Sequence, residues 1–488
     1  MDKKQETSDF SYTKIRDGDK TGLVLCENNE SDSQFAYLKK TQPTDLPIFS
    51  TSVEHFLKDV FLPRGFPDSV HSDYVQYQIW DTVQAFASTI LGTLTTHSIM
   101  RGVGVGESTA TPLAAAITWI LKDGTGMVGR IVFAWWNGPG LDAQCKKWRL
   151  FADVLNDAAM GIELTLPYFP SFSTILLCFS SAMKSLVGVA GGATRASITQ
   201  HQALQNNLAD VSAKDGSQET CVNLIASLVG VFMLSFLGAS SHVLFWYVVL
   251  VATHIYANYR AVRSLCFDTL NEDRLAIIVD NYLMQSSVLS PEKVNEQESV
   301  LISYKASKKL CGFDITIGES LEDYVESAKS QKSNSSSIRD ALTLFRITKS
   351  SSFSIFGKRD RSKSLHTFFI DMQNRVIRIA LVHDATSENI LNSYISAFLM
   401  GIMISMGCEF RQDIIEKAKN AEGPLLAMYK MAIELRQTLS QPKFMNGMLD
   451  QHTRTLLAHL KASEWKMDTS MLLVGPYRIY EDTKMLLK

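Results

Sequence analysis

Asp153, Asn156, Asp157 and Glu163 are the residues whose types and spacing best suit chemistry, because they interrupt an otherwise apolar stretch, Leu150 to Leu166. On a helix, 153 and 157 share a face, 156 lies beside them, and 163 follows about two turns further along. A charge held at the centre of a bilayer costs about 3 kcal/mol even on lenient insertion scales, so such groups face a cavity or a partner. Lys184 and Arg195 are the cations available to them. Two readings stay open: ion pairs that fix helix register, or a path for a substrate or proton. Thr194, Arg195, His201, Gln202, Asn206, Asn207, Asp210 and Lys214 form a second polar cluster. His201 there has no Ser/His/Asp order, metal-ligand spacing or phosphate loop beside it, so neither a catalytic residue nor a metal ligand is assigned. The candidate polar interior is thus Asp153, Asn156, Asp157, Glu163, Lys184, Arg195, His201 and Asp210.

Gly124, Gly126 and Gly129 spell GxGxxG, which binds a dinucleotide only between a strand and a helix, with an acidic residue about 20 positions on. The run Ala114 to Leu121 can be read as that strand and Asp142 as that acid, but no series of βαβ units follows. No cofactor is assigned. For Gly102, Gly104 and Gly106, close helix packing is the better account.

The elements that carry these residues are apolar. Thr220 to Tyr259 contains no Asp, Glu, Lys or Arg. A bilayer core of about 30 Å needs roughly 20 apolar residues per helix, so this run fits two spans, Cys221 to Leu237 and Val243 to Tyr259, turning at Gly238 to Ser241. Asp81 to Arg101 encloses 19 uncharged residues rich in Thr, Ser and Gln, a span facing protein rather than lipid. Ser108 to Leu121, Leu150 to Leu166 and Phe172 to Met183 bring the count to about six. With the N-terminus in the cytosol, Lys146, Lys147, Arg149, Arg195, Lys214, Arg260 and Arg263 fall on one side and only Arg101 dissents, as the positive-inside rule requires.

The fold class read from this pattern is mainly α: a polytopic helical membrane domain at 46–265, after a loosely packed polar segment at 1–45, and before a smaller soluble α+β domain at 266–488. Phe49 to Phe61 carries an apolar helical stripe suited to a membrane surface or a neighbouring domain. In the C-terminal part, Thr367 to Ile370 and Val376 to Val382 read as a β-hairpin. Thr386 or Ser387 caps a helix whose apolar positions run from Ile390 to Met403. That helix is also charge-free, but Asn389, Asn392, Ser393 and Ser396 share its other face, which favours a soluble packing helix over a seventh span. Ser- and Lys-rich residues 330–364 read as a flexible loop. A net charge of −2 gives no reason to propose nucleic acid as a partner. The seven cysteines stand apart without a CxxC pair, the pattern of free thiols. The N-terminus MDKKQETSDF reads as neither a signal nor a transit peptide.

Four stretches carry a resemblance to a known family: LPRGFPDSVHSDYVQYQIWD (62–81), WILKDGTGMVGRIVFAWWNG (119–138), LDAQCKKWRLFADVLND (141–157) and GVAGGATRASITQHQALQNNLADVSAKDGSQET (188–220). Together they resemble the root UVB sensitive (RUS) family over roughly residues 45 to 265, and LVHDATSENILNSYISAFL (381–399) is similar to its C-terminal region. The resemblance implies a eukaryotic membrane-associated protein, linked in plants to ultraviolet-B sensing in roots and to vitamin B6 homeostasis, with no established reaction. Asp123, Arg130, Lys147, Trp148, Arg149, Arg195, His201, Asp210 and Lys214 match family motifs as positions, without roles. Asp142 to Arg149 and the LADVSAKDGSQET turn are also similar to loops of major facilitator half-domains, of which six helices make one half.

The expected function is a transporter-like or cofactor-handling membrane protein with a small-molecule ligand. The alternative is a scaffold that binds a family member or another protein through its C-terminal domain. A membrane-bound vitamin B6 enzyme ranks third, since no lysine sits in a recognisable cofactor motif. The expected site is the lipid bilayer of an unspecified organelle, and the chain is not read as an enzyme.

Overall fold

A computed structural model describes residues 5–7, 10–17, 20–27, 36–37, 48–102, 112–237, 242–302, 305–320, 322–323, 366–437 and 442–478. The chain divides into two compact units at Leu62. In the first, β1 (Gln5–Thr7), β2 (Phe10–Asp17), β3 (Lys20–Glu27) and β4 (Ala36–Tyr37) form an antiparallel meander in sequence order. Strands therefore form where polar composition suggested a loosely packed segment; the aromatic and β-branched residues of FSYTKIRD favour them. Helix α1 (Ile48–Phe61) follows, with Val53, Phe56 and Leu57 exposed.

The second unit begins with six long helices at the expected places: α2 (Tyr74–Gly102), α3 (Pro112–Ala143), α4 (Cys145–Thr165), α5 (Ser173–Gln202), α6 (Leu208–Leu237) and α7 (His242–Ser264). Most run well past the expected ends, because the polar hinge residues join helices instead of separating them. Helix α2 is central and packs on α4, α6 and α7, while α3 and α4 both pack along α5. The turn at Gly238 to Ser241, like Gly104 and Gly106, lies outside the described residues.

GxGxxG lies inside α3, and the run Ala114 to Leu121 read as its strand is helical as well. A Cβ added at Gly126 would stand 2.8 Å from Ser181 Oγ, and one at Gly129 would stand 2.6 Å from Ser185 Oγ, so these glycines let α3 approach α5. That settles the motif as helix packing. Gly102 does the same against Leu166.

Among the described residues, three helical segments are long and apolar enough to cross a membrane: Pro170–Gln202, Leu208–Phe236 and Ser387–Gly407. The last is helix α11 of this chain, and 89% of its most apolar window is buried inside protein.

The C-terminal part is α+β. Helices α8 (Glu272–Gln285), α9 (Pro291–Gln297) and α10 (Ala306–Cys311) precede β6 (Asp314–Ile317). The expected hairpin is present as β7 (His366–Asp371) and β8 (Val376–Leu381), antiparallel, and β6 adds to it in parallel through β8. Strand β5 (Thr269–Leu270) pairs with β9 (Lys466–Ser470). Helix α11 is capped by Thr386, and α12 (Gln412–Lys419), α13 (Pro424–Gln437) and α14 (Pro442–Lys461) complete the layer around it. Ser393 and Ser396 are buried along with its apolar residues, while Asn389 and Asn392 in its first two turns are half-buried, so α11 is a core helix enclosed on all sides from Ser393 to Met406. Residues 330–364 lie outside the described ones.

Candidate functional site

The residues singled out in the sequence separate into islands. Glu163 and Lys184 are the one expected pairing that forms: Lys184 Nζ donates to Glu163 Oε2 at 2.6 Å, and Ser180 Oγ donates to Oε1 at 2.6 Å. The 21-residue offset is bridged because α4 and α5 run antiparallel across the turn at Pro167 and Pro170.

Asp157 is buried and turns instead to His254, at 2.8 Å from Nδ1, while the other ring nitrogen meets Gln84 at 3.0 Å. Tyr247 Oη donates to the Asp157 carbonyl at 2.7 Å. Asp153 accepts from Asn258 and lies 3.8 Å from Arg149, which also reaches Asp81 at 3.0 Å. Asn156 is half-buried on the same helix. Arg195, expected as a partner for these carboxylates, binds Asp215 at 2.6 Å and Glu219 at 2.5 Å on α6. His254 and Asn258 give no charge signal in the sequence, lying in the charge-free run; α7 brings them opposite α4, one helical turn apart, to meet Asp157 and Asp153.

His201 stands at the end of α5, apart from the bundle carboxylates. Its Nε2 lies 2.9 Å from Asp73 Oδ2, which also accepts the Cys266 N–H at 2.8 Å. The His71 ring lies against that of His201, tilted by 46° with centroids 4.2 Å apart, and its Nδ1 is 3.0 Å from Asp73 Oδ1. Burial would raise the Asp73 carboxyl, but the two imidazoles and the Cys266 N–H hold it well below the usual carboxylate range. The carboxylate in turn raises the His71 imidazole above its ordinary value. The loop 63–73 is held here by backbone bonds, His71 N to Gln202 O and Leu204 N to Ser69 O, and by Asp210, which accepts the Arg64 N–H at 2.7 Å. His71 and Asp73 carried no signal of their own in sequence, being some 130 positions from His201.

The hinge cations are not free in solvent. Lys146 Nζ donates to Asn295 Oδ1 at 2.6 Å and pairs with Glu298 at 3.0 Å; Lys147 pairs with Asp273 at 2.8 Å. Arg263 donates to the Glu296 and Glu298 carbonyls. Three of the seven cations counted for topology thus bind the C-terminal part.

A cavity of about 490 Å³ opens beside the Glu163–Lys184 island. Glu163 and Lys184 border it with Lys122, Asp123, Arg130 and Trp119, and Lys122 Nζ sits 4.6 Å from the Trp119 ring centroid. Three cations against two carboxylates, beside an indole, suit a small anionic ligand with a flat ring. A second cavity, of about 260 Å³, lies where His201, Phe267, Asp268 and Lys466 meet.

Comparison with known proteins adds to this geometry. Residues 49–286 match the family described as "Vitamin B6 photo-protection and homoeostasis domain", and residues 287–480 match "Root UVB sensitive protein, C-terminal". The first match runs past α7 to include α8. RUS family member 1 of Dictyostelium discoideum is 45% identical over 299 residues, 60% of this chain and 56% of that protein. Protein root UVB sensitive 3 of Arabidopsis thaliana is 43% identical over 242 residues, 49% of this chain and 55% of that protein. Protein root UVB sensitive 2, chloroplastic, of the same plant is 28% identical over 387 residues, 78% of this chain and 82% of that protein. The chain thus spans little more than half the length of the first two relatives. No solved structure matches.

Proposed function

The chain belongs to the root UVB sensitive (RUS) family, and we propose that it is a multi-pass membrane protein that binds a small anionic ligand in the service of vitamin B6 homeostasis. One observation carries the membrane reading: the helical bundle has its polarity inside out. Ile120, Ile131, Trp135 and Trp136 of α3, Leu228 and Phe236 of α6, and Leu244 of α7 are all more than 60% exposed. Glu163, Asp157, His254 and Asn258 are buried. An apolar belt this extensive is far beyond what a soluble monomer carries, whereas interior ion pairs beneath a lipid-facing surface are the rule in bilayers. With six spans the C-terminal part stays on the side of Lys146, Lys147 and Arg263. A glycosylation acceptor placed in the Gly238 to Ser241 turn becomes modified in a microsomal insertion assay; modification of an N-terminal acceptor instead overturns the topology.

The cavity beside Glu163 and Lys184 supports the ligand reading, and from its cations, its indole and the family's link to vitamin B6 we infer the class, a phosphorylated pyridine vitamer. The transporter-like form of this reading predicts that Glu163→Gln and Asp153→Asn leave the protein folded and inserted but fail to restore the vitamin B6 pool of a cell that depends on it. A second reading has an observation of its own: Asp157 pairs with His254 and Arg195 with Asp215 and Glu219, helix to helix, as internal clasps. In that reading the protein is a membrane scaffold whose C-terminal domain binds another protein. Full rescue by both isosteres, with lost abundance for Glu163→Ala and Asp153→Ala, favours the scaffold.

A further inference from the structure

His71, Asp73 and His201 bring two imidazoles and a carboxylate together at the junction of the helical bundle with the C-terminal part. Each offers one ligand atom, and the three atoms lie within 4.8 Å of one another. Two of the separations are already short, 3.0 Å from His71 Nδ1 to Asp73 and 2.9 Å from His201 Nε2 to Asp73. A tetrahedral zinc ion with ligand bonds of about 2.1 Å sets its ligand atoms about 3.4 Å apart, so small rotations of the side chains suffice.

A second observation points to a ligand. Asp73 is buried, and its Oδ2 is satisfied by His201 and by the Cys266 N–H. Its Oδ1 is equally buried but receives no aligned hydrogen bond, although His71 Nδ1 is close. The carboxylate thus stands between two imidazoles in a buried pocket, and Oδ1 is the oxygen left open to a cation. The site has access: a fifth of the His71 side chain is exposed, and His201 also borders the 260 Å³ cavity with Phe267, Asp268 and Lys466.

We propose that His71, Asp73 and His201 bind a divalent transition-metal ion, with zinc the best fit. Two imidazoles and one carboxylate suit zinc and its neighbours rather than magnesium or calcium, which prefer all-oxygen sets. Three protein ligands leave a fourth tetrahedral position for water or another small donor. The ion ties the segment before α2 to the end of α5, at the point where the chain leaves α7 for the C-terminal part. This proposal is independent of the vitamer cavity, which shares none of its residues.

The test uses the full-length chain purified in detergent, stripped with a chelator and titrated with Zn²⁺ alone against a chromophoric competitor. The wild type takes up one equivalent at this site. His71→Asn and His201→Gln each weaken that equivalent by at least about tenfold, the loss that even an outer partner's removal causes. His201→Gln retains an N–H donor for Asp73 Oδ2, so it preserves the hydrogen bond and removes the ligand nitrogen. No uptake by the wild type overturns the proposal, and so does equal uptake by wild type and folded variants. Should both variants fail to fold, X-ray absorption of the zinc-loaded wild type decides: a nitrogen and oxygen shell with imidazole scattering supports the site, and a sulfur shell overturns it.

Discussion

Lys146 Nζ and Glu298 Oε2 meet at 3.0 Å with only 2% and 3% of their side chains open to solvent. The pair joins the first turn of α4 to the segment after α9, and Arg274 adds a second cation to the same carboxylate oxygen at 3.1 Å. Asn271 closes the group by donating both to Glu298 Oε1 and to the Ala143 carbonyl. Lys147 and Asp273 repeat the connection one residue on. The bundle and the C-terminal part are therefore tied through desolvated charges, a construction that is costly to break from one side only.

Removing Lys146 tests that construction. Lys146→Met leaves Asn295 Oδ1 with the Phe267 N–H as its remaining donor and Glu298 with Arg274 as its remaining cation. The expected loss is about 3 kcal/mol, the lower end for a broken buried pair. It is read as a fall in melting temperature of the detergent-solubilised chain. An unchanged midpoint would mean that solvent enters the junction.

Glu298 also sets a pH dependence. Burial alone would raise its carboxyl, but Arg274, Lys146 and Asn271 hold it down to about 2, against an ordinary 4.5. On acidification the unfolded chain binds this proton first. The contribution, about 3 kcal/mol, is complete above pH 4.5 and is lost as pH falls from there towards 2. Melting curves of wild type and Glu298→Gln should converge across that window. Parallel curves would locate the acid sensitivity elsewhere.

The six helices were legible because each carries a long stretch with few charges, and the hairpin because His366–Asp371 and Val376–Leu381 flank a polar turn. Pairing was less legible. Glu163 and Lys184 face each other across one turn, so sequence distance sufficed, whereas Asp157 meets His254 only because α7 returns beside α4. Charge counting skips a histidine, which is why that partner was missed. Likewise β6 joins β8 in parallel across a long separation that no local periodicity encodes.

The glycines of α3 give a contrast within one helix. A methyl group at Gly129 meets Ser185 Oγ at 2.6 Å, and that hydroxyl is held by its bond to the Ala182 carbonyl. Gly124 has nothing within 4 Å of such a methyl. Gly129→Val should therefore cost about 1–3 kcal/mol from overpacking, while Gly124→Ala should be neutral or stabilise by up to about 1 kcal/mol through helix propensity. Thermal unfolding in detergent reads both. Equal effects at the two positions would rule out close α3–α5 packing.

Helix α11 decides how the C-terminal part behaves alone. Its charge-free length is enclosed by α13, α14 and the β6–β8–β7 sheet, so nothing in it requires lipid. Residues 271–488 expressed alone are expected to be recovered in aqueous buffer. Recovery only in detergent would make Ser387–Gly407 a span and reverse the burial described here.

The cavity beside α3 offers a test in which stability and ligand binding separate. Lys122 is partly exposed and Arg130 is exposed, so replacing either by Gln changes surface charge and should move stability by no more than about 0.5 kcal/mol. A phosphate held between Lys122, Arg130 and Lys184 would lose a charge-assisted hydrogen bond worth about 1.5–3 kcal/mol in either variant, and affinity should fall at least about tenfold. Pyridoxine 5′-phosphate is the probe to use, because it lacks the aldehyde that would react with lysines indiscriminately. Quenching of Trp119 fluorescence on titration reports binding, since that indole stands beside Lys122 at the cavity wall. Lys122→Gln and Arg130→Gln proteins that melt with the wild type but bind more weakly would support the ligand reading. A wild type that shows no saturable quenching, or variants that bind as it does, would leave the Glu163–Lys184 pair a clasp between α4 and α5 and favour the scaffold.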